Sequence, residues 1–173
     1  MGSSSVVKIA IGATLYVMLS AIVVLGRLMP LQGDGMGWPG PDLLFCLSCA
    51  WVLRRPDLLP VWLIAMTALL ADFLLQRPPG LGAALTVIAT EYLRRRVYPG
   101  PGIPFAGEMA LFASLISVYY FAQWLIQAIF MIPQPTLAAS LSVMPISVLA
   151  YPLVVILVGL CFGIRRPHEA NRT

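Results

Sequence analysis

Few side chains in this sequence are equipped for chemistry. Cys46 and Cys49 stand three apart, which places both thiols on one face of a helix. Two thiolates at that spacing are half of a tetrahedral zinc site. No second cysteine pair and no nearby histidine completes four ligands, and Cys161 lies alone in another apolar run. The three cysteines therefore read as small, polarisable packing residues. His168, the only histidine, falls in the polar C-terminal stretch and reads as solvated. No nucleophile stands beside a base, no carboxylates form a catalytic pair, and no Gly-rich loop is set to cradle a phosphate. The expectation is a protein without metal, cofactor or catalytic site.

The remaining ionisable and amide groups carry more information because of where they sit. An ionised side chain at the centre of a membrane helix costs about 2.5–3.5 kcal/mol on insertion scales, so each is a candidate site. Asp72 lies near the end of an apolar run, with Arg77 five residues on. It could anchor a neighbouring helix, a loop or a partner; equally, it could pair with Arg77 or cap the Pro78-Pro79-Gly80 loop. Glu91 precedes Arg94-Arg95-Arg96 at helical ion-pair spacing. Asp42 follows Pro41 and leads into Leu43-Leu44-Phe45, the pattern of a helix N-cap. Glu108 falls in the first turn of a later helix, where a negative charge suits the dipole. Ser117, Tyr120, Gln123 and Gln127 recur at spacings of three, three and four and form one polar stripe. In lipid such groups seek hydrogen bonds across helices, so the stripe should face the bundle or another protein.

These residues are embedded in a chain that only a bilayer can solvate. Of its 173 residues 60% are hydrophobic and 10% charged, and the mean hydropathy is +0.89. Soluble domains carry about 25% charged residues. A basic nucleic-acid face is absent, since the cationic residues sit in short clusters between apolar runs. Crossing the hydrocarbon core takes about 20 apolar residues. Four runs meet that length, at 9–28, 58–75, 105–132 and 137–164, and two are shorter, at 43–53 and 81–93. Pro and Gly punctuate the junctions, as in Trp38-Pro39-Gly40-Pro41, Pro99-Gly100-Pro101-Gly102 and Pro133-Gln134-Pro135. Pro145 and Pro152 interrupt the last run. The expected fold is an all-α transmembrane bundle forming one integral domain over 1–173. Its six spans are placed at roughly 8–28, 42–54, 58–76, 80–94, 105–132 and 138–164. The first run has span length and no small-residue cleavage site, so it reads as a retained helix rather than a signal peptide. Met1-Gly2 opens an acylation-like pattern that a spanning chain has little use for.

Scored on six spans, nine of the 11 Lys and Arg fall on one side and only Arg27 and Arg77 on the other. The positive-inside rule then puts both termini in the cytoplasm. Were the two short runs re-entrant, Arg54-Arg55 and Arg77 would change sides and the count would be eight against three. Both ends stay cytoplasmic either way.

Two stretches go further. Pro41-Asp42-Leu43-Leu44-Phe45-Cys46-Leu47-Ser48-Cys49-Ala50-Trp51-Val52-Leu53-Arg54-Arg55-Pro56 resembles the second-helix segment of the rod shape-determining MreD family, with its Pro-Asp, its apolar run holding Trp51, and its short loop. Asp72 followed by Pro78-Pro79-Gly80-Leu81-Gly82-Ala83-Ala84-Leu85 is similar to that family's third-to-fourth helix junction. Gln76 departs from the pattern where a Gly is expected, which puts the geometry of that turn in question. The resemblance implies a non-enzymatic component of the bacterial inner membrane that supports sidewall peptidoglycan synthesis. It implies binding to the single-span protein MreC and, through it, to MreB, RodA and a penicillin-binding transpeptidase. It also implies a six-helix fold like the substrate-binding subunits of energy-coupling-factor vitamin transporters. Asp42, Trp51, Asp72, Gly80, Glu91, Gln123 and Gln127 become the candidate anchors. A second reading stays open, a small-molecule-binding transporter subunit with Tyr119, Tyr120, Trp124 and Gln127 lining a cavity. Self-association is also left open.

Overall fold

The computed structural model describes residues 3–29, 40–97, 104–131 and 137–162. Helix formation follows the breakers, with α1 at Ser3–Leu28, α2 at Leu43–Arg54, α3 at Val61–Leu74, α4 at Leu81–Val97, α5 at Phe105–Ile129 and α6 at Leu137–Phe162. Three helices contain stretches long and apolar enough to cross a membrane (Ile9–Leu28, Phe105–Ile129 and Leu141–Leu160), and α2 and α3 are shorter apolar helices. The chain is an all-α, multi-pass membrane protein. His168, Arg165, Arg166, Arg172, the junctions at 38–39, 99–102 and 133–135, and the side chains of Lys8 and Cys161 lie outside the described residues.

The third helix starts at Val61 rather than near residue 58. Pro56–Leu58 form a separate 3-10 turn, and Pro60 sets the N-cap of α3 at φ −68°. Pro145 and Pro152 do not divide α6, which stays one helix through both. Between the two prolines the Cys46 thiol donates to the Ser147 carbonyl at 3.6 Å, which ties α6 to α2.

The short second run is the mechanical centre of the bundle. Every residue from Phe45 to Val52 is buried, so α2 presents no face to lipid. A helix that is apolar all round belongs in a core. At 1.5 Å per residue its twelve residues extend about 18 Å, well short of a bilayer core of about 30 Å. α2 packs against α1, α4 and α6. Trp51 is 1% exposed, and the Tyr16 ring meets it edge-on with centroids 5.6 Å apart. The Tyr16 hydroxyl shares a 2.8 Å hydrogen bond with Ser48 Oγ and accepts one from Thr67 Oγ1 at 3.4 Å. α5 buries Phe112, Ile116, Tyr119, Tyr120 and Gln123, a helical repeat that forms one face. The outer surfaces of α3, α5 and α6 are apolar and exposed: Trp62, Met66 and Leu70, then Val118 and Phe121, then Leu149 and Leu153.

Candidate functional site

A helix whose two ends lie inside the protein must have its terminal groups satisfied there. Both ends of α2 meet this with buried charge. At the N-terminal end, Asp42 accepts from the Phe45 N–H at 3.3 Å, the cap expected from sequence. Its other carboxylate oxygen accepts from the Tyr120 hydroxyl at 2.9 Å and lies 3.6 Å from Arg77 Nη1. The Asp42 N–H donates to Ser147 Oγ at 2.8 Å. Arg27 closes the same end by donating to the carbonyls of Gly40, at 3.2 Å, and Pro41. α1, α5, α6 and the α3–α4 turn are thus tied to one N-cap.

At the C-terminal end, Arg54 Nη1 pairs with Glu108 Oε1 at 3.0 Å, both side chains being less than a tenth exposed. The Tyr151 hydroxyl donates to the same Glu108 oxygen at 2.8 Å, and its ring stacks on Phe112 with centroids 4.0 Å apart. Arg94 secures the adjoining turn by donating to the carbonyls of Pro56, at 2.9 Å, and Leu59, at 2.7 Å. Glu91 lies 3.5 Å from Arg94 and 3.2 Å from Arg95, the helical pairing its spacing predicts.

Asp72 faces the α3–α4 turn. It is 3% exposed, and Oδ2 accepts from the N–H groups of Gly80, at 3.2 Å, and Ala83, at 3.0 Å. It caps α4 from the neighbouring helix, and Arg77 turns to Asp42 instead. The cap needs two glycines. Gly80 sits at φ +89°, and a Cβ on Gly82 would collide with the Asp72 carboxylate. The end of α3 has the hydrogen bonds of a Schellman motif, Arg77 N–H to the Asp72 carbonyl at 2.9 Å and Gln76 N–H to the Phe73 carbonyl at 3.3 Å. Its left-handed position is Gln76, at φ +53°. Gln76, a residue without glycine's freedom at positive φ, thus holds the left-handed position of this turn.

The polar stripe of α5 divides. Tyr120 and Gln123 are buried, Gln127 is half-buried, and Ser117 is exposed and donates to its own helix at the Ala113 carbonyl. Of the residues named for a ligand cavity, Tyr119 alone borders the small cavity beside Asp42, Asp72, Arg77 and Thr86. That cavity offers about 20 Å³ to the centre of a water molecule, room for a water or so.

Composition hid the Arg54–Glu108–Tyr151 cluster because each member reads separately as an interfacial charge, a dipole partner and a core aromatic. The available signal was topological. With alternating helix directions, the end of the second helix and the start of the fifth share one side, which sets a cation opposite a carboxylate. Compared with known protein families, curated proteins and solved structures, the chain matches none.

Proposed function

We propose that this chain is a non-enzymatic membrane scaffold of the bacterial cell-elongation machinery, related to MreD, that binds an MreC-type single-span protein. On this reading all six helices cross the inner membrane with both termini cytoplasmic, and the partner links the chain to MreB, RodA and a penicillin-binding transpeptidase. The observation that carries it is the internal use of the polar residues. Asp42 is engaged with Arg77, Tyr120 and Phe45, Arg54 with Glu108, Asp72 with the α4 backbone, and Glu91 with Arg94 and Arg95. Charges spent on holding a bundle rigid are poorly placed to act on a substrate, whereas a rigid apolar exterior suits helix–helix docking.

The residues that carry the family resemblance fit this use. Asp42, Trp51, Asp72 and Gly80 build the frame around α2 and the α3–α4 turn. The transporter-subunit reading is less well supported, because Tyr120 is committed to Asp42 and the cavity beside Tyr119 is water-sized. Depletion of the chain in its source cell tests the proposal. Rods should round up and sidewall peptidoglycan labelling should fall, while unchanged shape and labelling would reject it.

A further inference from the structure

The two polar ends of the bundle lie at unequal heights on its different sides. We infer that the α3–α4 side of the protein docks against a locally thinned lipid bilayer, with headgroups drawn down to the turn at 75–80. Three lengths carry this. The first is α3 itself, whose 14 residues extend about 21 Å, some 9 Å less than a typical hydrocarbon core.

The second is the apolar surface on that side. The exposed stripe of α3 runs from Trp62 through Met66 and Leu70 to Phe73, and that of α4 holds Ile88 and Tyr92 before Arg95 and Arg96. Trp and Tyr favour the membrane–water boundary. Trp62, in the first turn of α3, and Tyr92, beside the Arg94 that bonds the Leu59 carbonyl, therefore mark one edge of the apolar band. Exposed Arg95 and Arg96 lie just past it, where they complement anionic headgroups. The other edge is the turn holding Gln76, which is exposed, and Arg77, which is partly so.

The third length is the offset between sides. The turn cannot rise to the level of the long helices, because Arg77 reaches Asp42 and Asp72 caps α4. Tyr120, which holds Asp42, is nine residues below the end of α5, or about 13 Å. Ser147, which holds the Asp42 N–H, is ten residues below the start of α6, or about 15 Å. An extended arginine side chain spans about half of that offset, so the polar turn stays below the outer ends of α5 and α6 by several ångströms. A bilayer meets a short apolar side by thinning next to it. The inference is independent of the partner assignment above.

The test is spin-label depth in the full chain, reconstituted in dioleoyl phosphatidylcholine with a fraction of anionic phosphatidylglycerol. Labels are placed singly at the exposed positions Gln76→Cys, Phe130→Cys and Leu70→Cys, and collision with a water-soluble nickel chelate is compared with collision with oxygen. Labels at Gln76 and Phe130 should both show headgroup-level nickel access, several-fold above that at Leu70. A Gln76 label that is rich in oxygen and shielded from nickel would overturn the inference, since the bilayer would then pass over the turn unthinned. A Gln76 label shielded from both reagents would overturn it too, by showing that protein, a partner or a second copy, covers that side. Failure of Gln76→Cys to fold is controlled with Pro79→Cys, an exposed position in the same turn, for which the same results are expected.

Discussion

Replacing Asp72 tests the cap on the fourth helix that the structure shows. From sequence Asp72 is open as an anchor for a helix, a loop or a partner, or as a residue that pairs with Arg77 or caps the Pro78-Pro79-Gly80 loop. In the structure the carboxylate faces inward, and a single oxygen, Oδ2, accepts both N–H groups. Asp72→Ala leaves the buried Ala83 N–H and the half-buried Gly80 N–H without that acceptor. A lost N-cap costs about 0.5–2 kcal/mol, and a buried donor left unsatisfied costs about 1–3 kcal/mol. The two figures overlap, because the cap is one of those bonds, and the neighbouring cavity would let water soften the loss. The expected destabilisation is about 2–3 kcal/mol. Asp72→Asn can place its amide oxygen where Oδ2 stands, so it keeps both bonds and forfeits mainly the charge at the helix N-terminus, about 0.3–1 kcal/mol. The assay is equilibrium unfolding of the full chain in mixed micelles, with increasing dodecyl sulfate and helicity as the readout. Equal stability of Asp72→Ala and the parent would refute the capping role. Equal loss in Ala and Asn variants would show that charge, not acceptor geometry, carries the effect.

Other perturbations follow from the same framework. Gln76→Gly should stabilise the chain by about 0.5–1 kcal/mol in that assay, because the left-handed conformation costs Gln about 1–2 kcal/mol and the added unfolded-state freedom takes back part of the gain; a loss of stability would argue against the φ of +53°. Glu108→Ala leaves Arg54 buried without its carboxylate and should cost about 3–5 kcal/mol, whereas the paired change Arg54→Met with Glu108→Leu should recover most of it; a double variant as unstable as the single one would contradict the ion-pair reading. Gly82→Ala should destabilise the parent but do so far less in the Asp72→Ala background, since the clash is with that carboxylate. Additive costs would show that the two positions are independent.

Much of this was legible in sequence because apolar runs and breakers are local signals. Six helices, the Asp42 cap and the Glu91 pairs follow from spacing within ten residues or so of the feature. What escaped were relations between distant helices. The run at 43–53 shows only that it is short and apolar; that it is wrapped on every side depends on α1, α4 and α6. Glu108 has no near neighbour that announces Arg54, 54 positions away, or Tyr151, 43 away. Spacing alone places Ser117 in the α5 stripe, yet it sits at the edge of a face centred on Ile116 and Gln123 and turns outward. Gln76 shows the reverse case, where a residue type argued against a turn that surrounding contacts enforce.

What the chain holds in its own membrane tests the scaffold assignment most directly. Isolated under mild detergent from its source cell with a small C-terminal tag, it should bring down an MreC-type single-span protein in near-stoichiometric amount, and Asp72→Asn should retain that partner. Recovery without such a protein, or in complex with an energising ATPase module and a bound small molecule, would contradict it.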